Sequence, residues 1–168
     1  FDRDILDLLP RQDRRVEFIR DSLMGLDAQL HALGSAHGID GCGLIVRHGW
    51  PADEVPTLAV QLGVQAVYAN HDDDPAALAR DARVRGRLAD IGVTLHTSKD
   101  HVVFERRELL TQGGNPYTVF TPYRNAWLKK LTPFYVKAYP VERYLSSVAT
   151  PPIDAPFPKL DALGFAPT

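Results

Sequence analysis

Ala66-Val67-Tyr68-Ala69-Asn70, Asp74-Pro75 and Val93-Thr94-Leu95-His96 are the pieces of this sequence that decide its fold. The first is a short apolar run of strand length and composition, bounded by polar residues. Asp74-Pro75 is a helix start: the carboxylate accepts from backbone N–H groups that have no intrahelical partner, and proline fits the first helical position. The pattern predicts a helix to about residue 90, with Leu78, Ala82, Leu88 and Ala89 inward and Gly92 at its end. Residues 93–96 then read as a second strand. A strand, a helix and a strand in this order form a parallel βαβ unit.

Upstream, Val16, Ile19, Leu23, Leu26, Leu30 and Leu33 recur at spacings of three and four. They predict a helix over 14–33 with Gly34 as its stop. Cys42 to Val46 reads as another buried strand. Val55, Leu58, Ala59 and Leu62 mark a helix closed by Gly63, with Pro56 confined to its first turn. Downstream, Val102-Val103-Phe104 reads as a short extended piece and Gly113-Gly114-Asn115-Pro116 as a turn. Thr121-Pro122 opens a helix carrying Trp127 and Leu131. Prolines at 133, 140, 151, 152, 156, 158 and 167 predict an extended connector with little structure of its own. Phe1 to Leu6 reads as the tail of a strand and the loop after it. The three strands so placed are fewer than the roughly four to six usual for such a sheet.

Composition narrows the function. The chain has 168 residues, enough for one α/β domain. Its 19 Lys plus Arg against 21 Asp plus Glu leave a net charge of -2, which argues against tight DNA binding by this segment alone. The single cysteine, Cys42, excludes an internal disulfide and sits in an apolar run, where it reads as a small buried residue. No stretch has membrane-spanning length, so a cytoplasmic protein is expected. The six histidines are scattered and predict no metal site, and the glycines at 38, 41 and 43 do not make a dinucleotide fingerprint. Arg106-Arg107 and Lys129-Lys130 read as solvated pairs or as contacts to a DNA backbone, and Trp127 as the core anchor of its helix.

A further set of residues carries a family resemblance. Asn115-Pro116-Tyr117-Thr118-Val119-Phe120-Thr121-Pro122-Tyr123-Arg124-Asn125-Ala126-Trp127-Leu128 resembles the end of the N-terminal α/β domain of the DNA photolyase/cryptochrome family. Phe1-Asp2, then Arg15, Phe18, Ser22, Leu23 and Leu26, then Asn70 to Pro75 with Arg80-Asp81 and Val84, and Lys99 to Glu105 match in the same order. Leu163-Gly164-Phe165 resembles the close of that family's interdomain linker. Asn125 to Leu131 is closest in pattern to bacterial deoxyribodipyrimidine photolyases.

The resemblance implies a Rossmann-like open parallel sheet flanked by helices, lacking its first strand and helix and most of its second strand. It implies an α/β domain over 1–131 and, over 132–168, a linker to a helical domain outside this sequence. That helical domain would hold the FAD and bind damaged DNA, so no catalytic residue is expected here. The activity implied is light-driven repair of pyrimidine dimers; a cryptochrome photoreceptor and a stand-alone flavin- or nucleotide-binding module are the alternatives.

What this segment could hold is an antenna pigment. Ligands of open α/β sheets bind beyond the carboxyl ends of the strands. By resemblance, Asp2, Arg15, Asp72 and Asp74 line such a pocket, with a deazaflavin or flavin favoured over folate, whose asparagine–glutamate pair falls at Ala76 and Ala77. Each has a simpler role as well. Asp74 caps a helix regardless of ligand, Asp72 is a loop charge, and Arg3 or Asp4 could satisfy Asp2 locally. Arg15 lies at a helix start, a poor place for a cation, which calls for a specific partner.

Overall fold

A computed structural model describes residues 1–148 and 156–168. The predicted βαβ unit is its centre: β1 (Ala66–Asn70), α4 (Pro75–Asp90) and β2 (Thr94–Ser98), with the strands parallel and in register from Ala66↔Thr94 to Asn70↔Ser98. Before it come α1 (Arg3–Leu6), α2 (Arg14–Ala36) and α3 (Pro51–Leu62); after it come α5 (Phe120–Lys130) and α6 (Pro133–Val136). The result is a Rossmann-like α/β fragment, rich in helix, with a two-stranded parallel sheet among the described residues.

One core cluster joins α3, α4 and the sheet through Ala59, Val84, Leu88 and Val93, with Val55, Val67 and Leu95 against them. Leu88 is wholly buried. The inward stripe of α4 runs through Ala77, Val84 and Leu88, with Arg80 and Asp81 half-buried between them. Leu78, Ala82 and Ala89 are exposed. Of the four residues expected inward only Leu88 is buried, because a charged pair lies where an apolar residue would mark the stripe.

Three other expectations change. Gly34 does not stop α2; the helix runs on to Ala36, and Gly38 takes the left-handed conformation beyond it (φ 72°). Gly34 is buried against Cys42, where a Cβ would fall 2.5 Å from the cysteine Cβ. Cys42 to Val46 forms no ladder: the Leu44 N–H donates to Asp27 Oδ1 on α2 (2.7 Å) and has no strand to pair with among the described residues. Pro56 lies in the second turn of α3, since Pro51 already occupies the start. Neighbouring Thr57 Oγ1 donates to the Asp53 carbonyl oxygen (2.7 Å), giving the helix a side-chain bond beside the missing N–H.

The ends of the chain are more structured than proline content implies. Residues Arg3–Leu6 are helical, capped by Asp2, and Asp2 makes an isolated parallel bridge with Gly49. Val102 to Phe104 is not a strand; Phe104 is buried, with Trp127 edge-on at 5.7 Å and Tyr135 at 4.9 Å. Past Thr132 come α6 and a 3₁₀ helix over Val141–Ser147 that buries Leu145. Leu163 and Phe165 return to pack on Leu6 and Val16, and the Ala166 N–H donates to the Arg11 carbonyl oxygen at 2.8 Å. Pro151 and Pro152 lie outside the described residues.

Candidate functional site

β1 ends at Asn70, and the loop 71–74 turns the chain into α4. Asp74 caps that helix with one oxygen, Oδ1, which accepts from the N–H groups of Ala76 (2.8 Å) and Ala77 (3.3 Å). Asp72 Oδ1 accepts from Asp74 N–H at 3.0 Å. Asp2 Oδ1 accepts from Asp4 N–H at 2.9 Å, which caps α1. In all three residues Oδ1 performs a local backbone role. The Asp73 N–H also favours the charged Asp72 carboxylate, and the second oxygen of Asp2 lies 3.8 Å from Arg80 Nη1.

These three aspartates line one cavity of about 260 Å³, together with Asp4, Ile5, Ala76, Ala77, Arg80 and Arg83. It lies where β1 meets α4, at the carboxyl end of the strand. Asp72 has its carboxyl held below the ordinary range, first by the Asp74 N–H, which outweighs the opposing desolvation, and further by His101, the Asp73 N–H and Arg80. Arg83 pairs with Asp4 at 3.4 Å, and Arg80 spends most of its guanidinium on Asp81 at 2.9 Å. Four carboxylates therefore face two already engaged cations. Such a wall accepts hydrogen bonds from neutral hydroxyl and N–H donors and repels phosphate. Ala76 and Ala77 add no polar group beyond their backbone.

Arg15 is elsewhere. Its Nε and Nη2 grip Asp13, the N-cap of α2, at 3.0 and 2.6 Å, and it lines none of this cavity. The cation at a helix start has its partner two residues away, and that pairing holds the Asp13 carboxyl below its ordinary range. Arg80 and Arg83 are the cavity residues that periodicity missed. The signal for Arg80 was the charged pair interrupting the apolar stripe of α4. A second cavity, about 380 Å³ and mainly apolar, shares Asp2 and Arg80 and runs along β1 past Val67, Tyr68 and Leu95. Among the described residues no group of His, Cys, Asp and Glu has metal-holding geometry, and no helix is long and apolar enough to cross a membrane.

Parallel strands joined through a capped helix define an α/β domain of the Rossmann type, with carboxylates gathered beyond the strand end. The DNA photolyase family profile matches residues 2–144, and the chain belongs to that family. It is 34% identical to a deoxyribodipyrimidine photo-lyase of Halobacterium salinarum over 153 residues, 90% of this chain and 30% of that protein. An uncharacterized 31.6 kDa protein of Synechococcus sp. is 33% identical over 138 residues, 81% of this chain and 47% of its own length. A cryptochrome DASH of Natronomonas pharaonis is 33% identical over 110 residues, 66% of this chain and 22% of that protein. The chain thus spans about half, or less, of the curated relatives it matches.

Proposed function

We propose that this chain is the antenna-bearing segment of a cytoplasmic deoxyribodipyrimidine photo-lyase. In this reading residues 1–131 form the α/β domain and 132–168 lead to a helical domain that holds FAD and engages damaged DNA. Light absorbed by a pigment in the α/β domain passes to reduced FAD, which donates an electron to a cyclobutane pyrimidine dimer. No residue of this chain takes part in that chemistry.

The observation that carries the antenna reading is the convergence of Asp2, Asp72 and Asp74 on one cavity at the end of β1. The volume of about 260 Å³ is below the roughly 300–1,000 Å³ that encloses a whole drug-sized ligand. It suits one polar part of a flavin or deazaflavin, such as the ribityl chain, whose hydroxyls donate to carboxylates. The excess of carboxylates favours an unphosphorylated pigment over a phosphorylated one, and the alanines at 76 and 77 offer no side-chain acceptor to a folate pterin ring. Arg15, committed to Asp13, is left out of the proposed ligand set.

Fluorescence titration of the chain with riboflavin and with flavin mononucleotide tests this. Riboflavin is expected to bind more tightly, and Asp72→Asn to weaken it; equal or preferred binding of the phosphorylated flavin would refute the electrostatic argument. For the full-length protein, release of bound pigments should yield FAD and a second flavin or deazaflavin. A flavoprotein that repairs no dimers in light would favour the cryptochrome reading, which the resemblance to cryptochrome DASH supports.

A further inference from the structure

The loop that carries Asp72 and Asp74 is fastened on its opposite side to residues 97–106. His71 N–H donates to the Ser98 carbonyl oxygen at 2.7 Å, and Asn70 Nδ2 donates to Asp100 Oδ2 at 2.9 Å. The His71 ring bonds Glu105 Oε1 through Nδ1 (2.7 Å) and Thr97 Oγ1 through Nε2 (3.0 Å). Arg106 Nε donates to Asp73 Oδ1 at 3.3 Å. Fasteners and cavity residues alternate: the side chains of 71 and 73 go to the 97–106 segment, while those of 72 and 74 line the cavity. Successive side chains in extended backbone leave on opposite sides, so holding one set directs the other.

The fasteners are unequal. Arg106 and Asp73 are 57% and 55% exposed, and a pair so open to water contributes little. His71 and Glu105 are 27% and 17% exposed and form the inner fastener. Because the Glu105 carboxylate accepts from Nδ1–H, a neutral ring presents Nε2 as an acceptor to the Thr97 hydroxyl. The ring is thereby fixed against both β2 and the following loop. Glu105 is itself held from behind: its N–H donates to Glu108 Oε2 at 2.8 Å, and the same oxygen takes Lys99 Nζ at 2.7 Å.

We propose that His71, oriented by Glu105 and Thr97, is a positioning residue that sets the affinity of the Asp72–Asp74 cavity for an uncharged, hydroxyl-bearing ligand. This rests on the ligand reading above, although His71 lines no part of that cavity. Its removal lets the loop rotate and the two carboxylates lose their common direction.

The test compares Glu105→Ala with Glu105→Gln in the whole chain, with riboflavin as the probe and thermal melts confirming that each variant folds. Glu105→Gln keeps an oxygen that accepts from Nδ1–H. Glu105→Ala is expected to weaken riboflavin binding by about tenfold or more, as for one lost hydrogen bond to a charged group. Glu105→Gln is expected to stay within about threefold of the parent on the same scale. Nitrogen NMR of the His71 ring should show Nδ1 protonated in the parent and in Glu105→Gln, with mixed tautomers in Glu105→Ala. Unchanged riboflavin affinity in Glu105→Ala overturns the proposal. If the parent does not bind riboflavin, the ligand reading fails, and hydrogen exchange at the Asp74 amide decides the positioning claim. Protection lost in Glu105→Ala and regained in Glu105→Gln upholds it; unchanged protection overturns it.

Discussion

Gly34→Ala sets two effects of known size against each other at one atom. Inside α2, replacing glycine by alanine favours the helix by about 1 kcal/mol. At this site the new Cβ would lie 2.5 Å from Cys42 Cβ and 2.8 Å from the Ile39 carbonyl oxygen. Carbon atoms pack at about 3.5–4.0 Å, so Cys42 would have to retreat by about 1 Å. Part of the obstruction is backbone, and the Ile39 N–H already donates to the Gly34 carbonyl oxygen at 2.9 Å, which ties the turn to the helix end. Overpacking of this kind costs about 1–3 kcal/mol, and a backbone obstacle places it in the upper half. The net expectation is a loss of about 1–2 kcal/mol. Gly25→Ala is the internal control: it lies in the same helix with nothing within 4 Å, so only the propensity gain of about 0.5–1 kcal/mol remains. Urea and thermal unfolding of both variants should therefore separate them by roughly 1.5–3 kcal/mol, or several degrees in Tm. Cys42→Ala, which retains the offending Cβ, should not rescue Gly34→Ala. A Gly34→Ala protein as stable as Gly25→Ala would refute the close approach of α2 to Cys42.

Leu88→Ala removes the one large side chain that is wholly buried among the described residues, and should cost about 2–5 kcal/mol, read as a Tm fall on the order of 10 °C. Asp74→Ala removes the cap of α4 and should cost about 1 kcal/mol in urea unfolding. Asp74→Ser keeps a capping oxygen, so stability should be nearly retained while riboflavin affinity falls, because serine has no second oxygen for the cavity. The Asp72 carboxyl is held below its ordinary value of 3.8. A depressed pKa contributes stability that is present above the unfolded value and lost as pH falls through the lower folded one. Riboflavin affinity should therefore be insensitive to Asp72 ionisation at neutral and mildly acidic pH, with its loss appearing only below 3.8. A titration in which Asp72→Asn abolishes a transition centred above about pH 5 would contradict this.

What could be read in advance was whatever has a local physical signature. Asp74-Pro75 and Gly92 punctuate α4 with chemistry that works without tertiary context, and both ends of that helix fall where they indicate. Gly34 carried an ambiguous signature, since glycine serves equally as a helix stop and as a place for close packing; only the position of Cys42 decides between them. Cys42 to Val46 had a strand's composition, but a strand needs a ladder, and the Leu44 N–H found Asp27 instead. In α4 the apolar residues alone placed Leu88 correctly and misplaced Leu78, Ala82 and Ala89, because the inward stripe includes Arg80 and Asp81. Arg15 called for a partner, and the partner was adjacent in sequence. A local partner is invisible to an argument that looks for convergence on a distant pocket.

In the aspartates a structural role and the proposed binding role are compatible. A carboxylate has two oxygens, and Asp2, Asp72 and Asp74 each use Oδ1 to satisfy a backbone N–H in the turn that positions them. The cap fixes the side chain, and fixing it sets the direction of the second oxygen. Ordering a free side chain at the moment of binding would cost conformational entropy, which the turn has here already removed. Evidence that Asp74 is a cap therefore does not count against Asp74 as a ligand residue; it supplies the rigidity that a ligand residue requires. The same logic extends outward, since the His71–Glu105 fastener holds the turn as the turn holds the carboxylates. Serine at position 74 separates the two roles because it has one oxygen for the cap and none for the cavity.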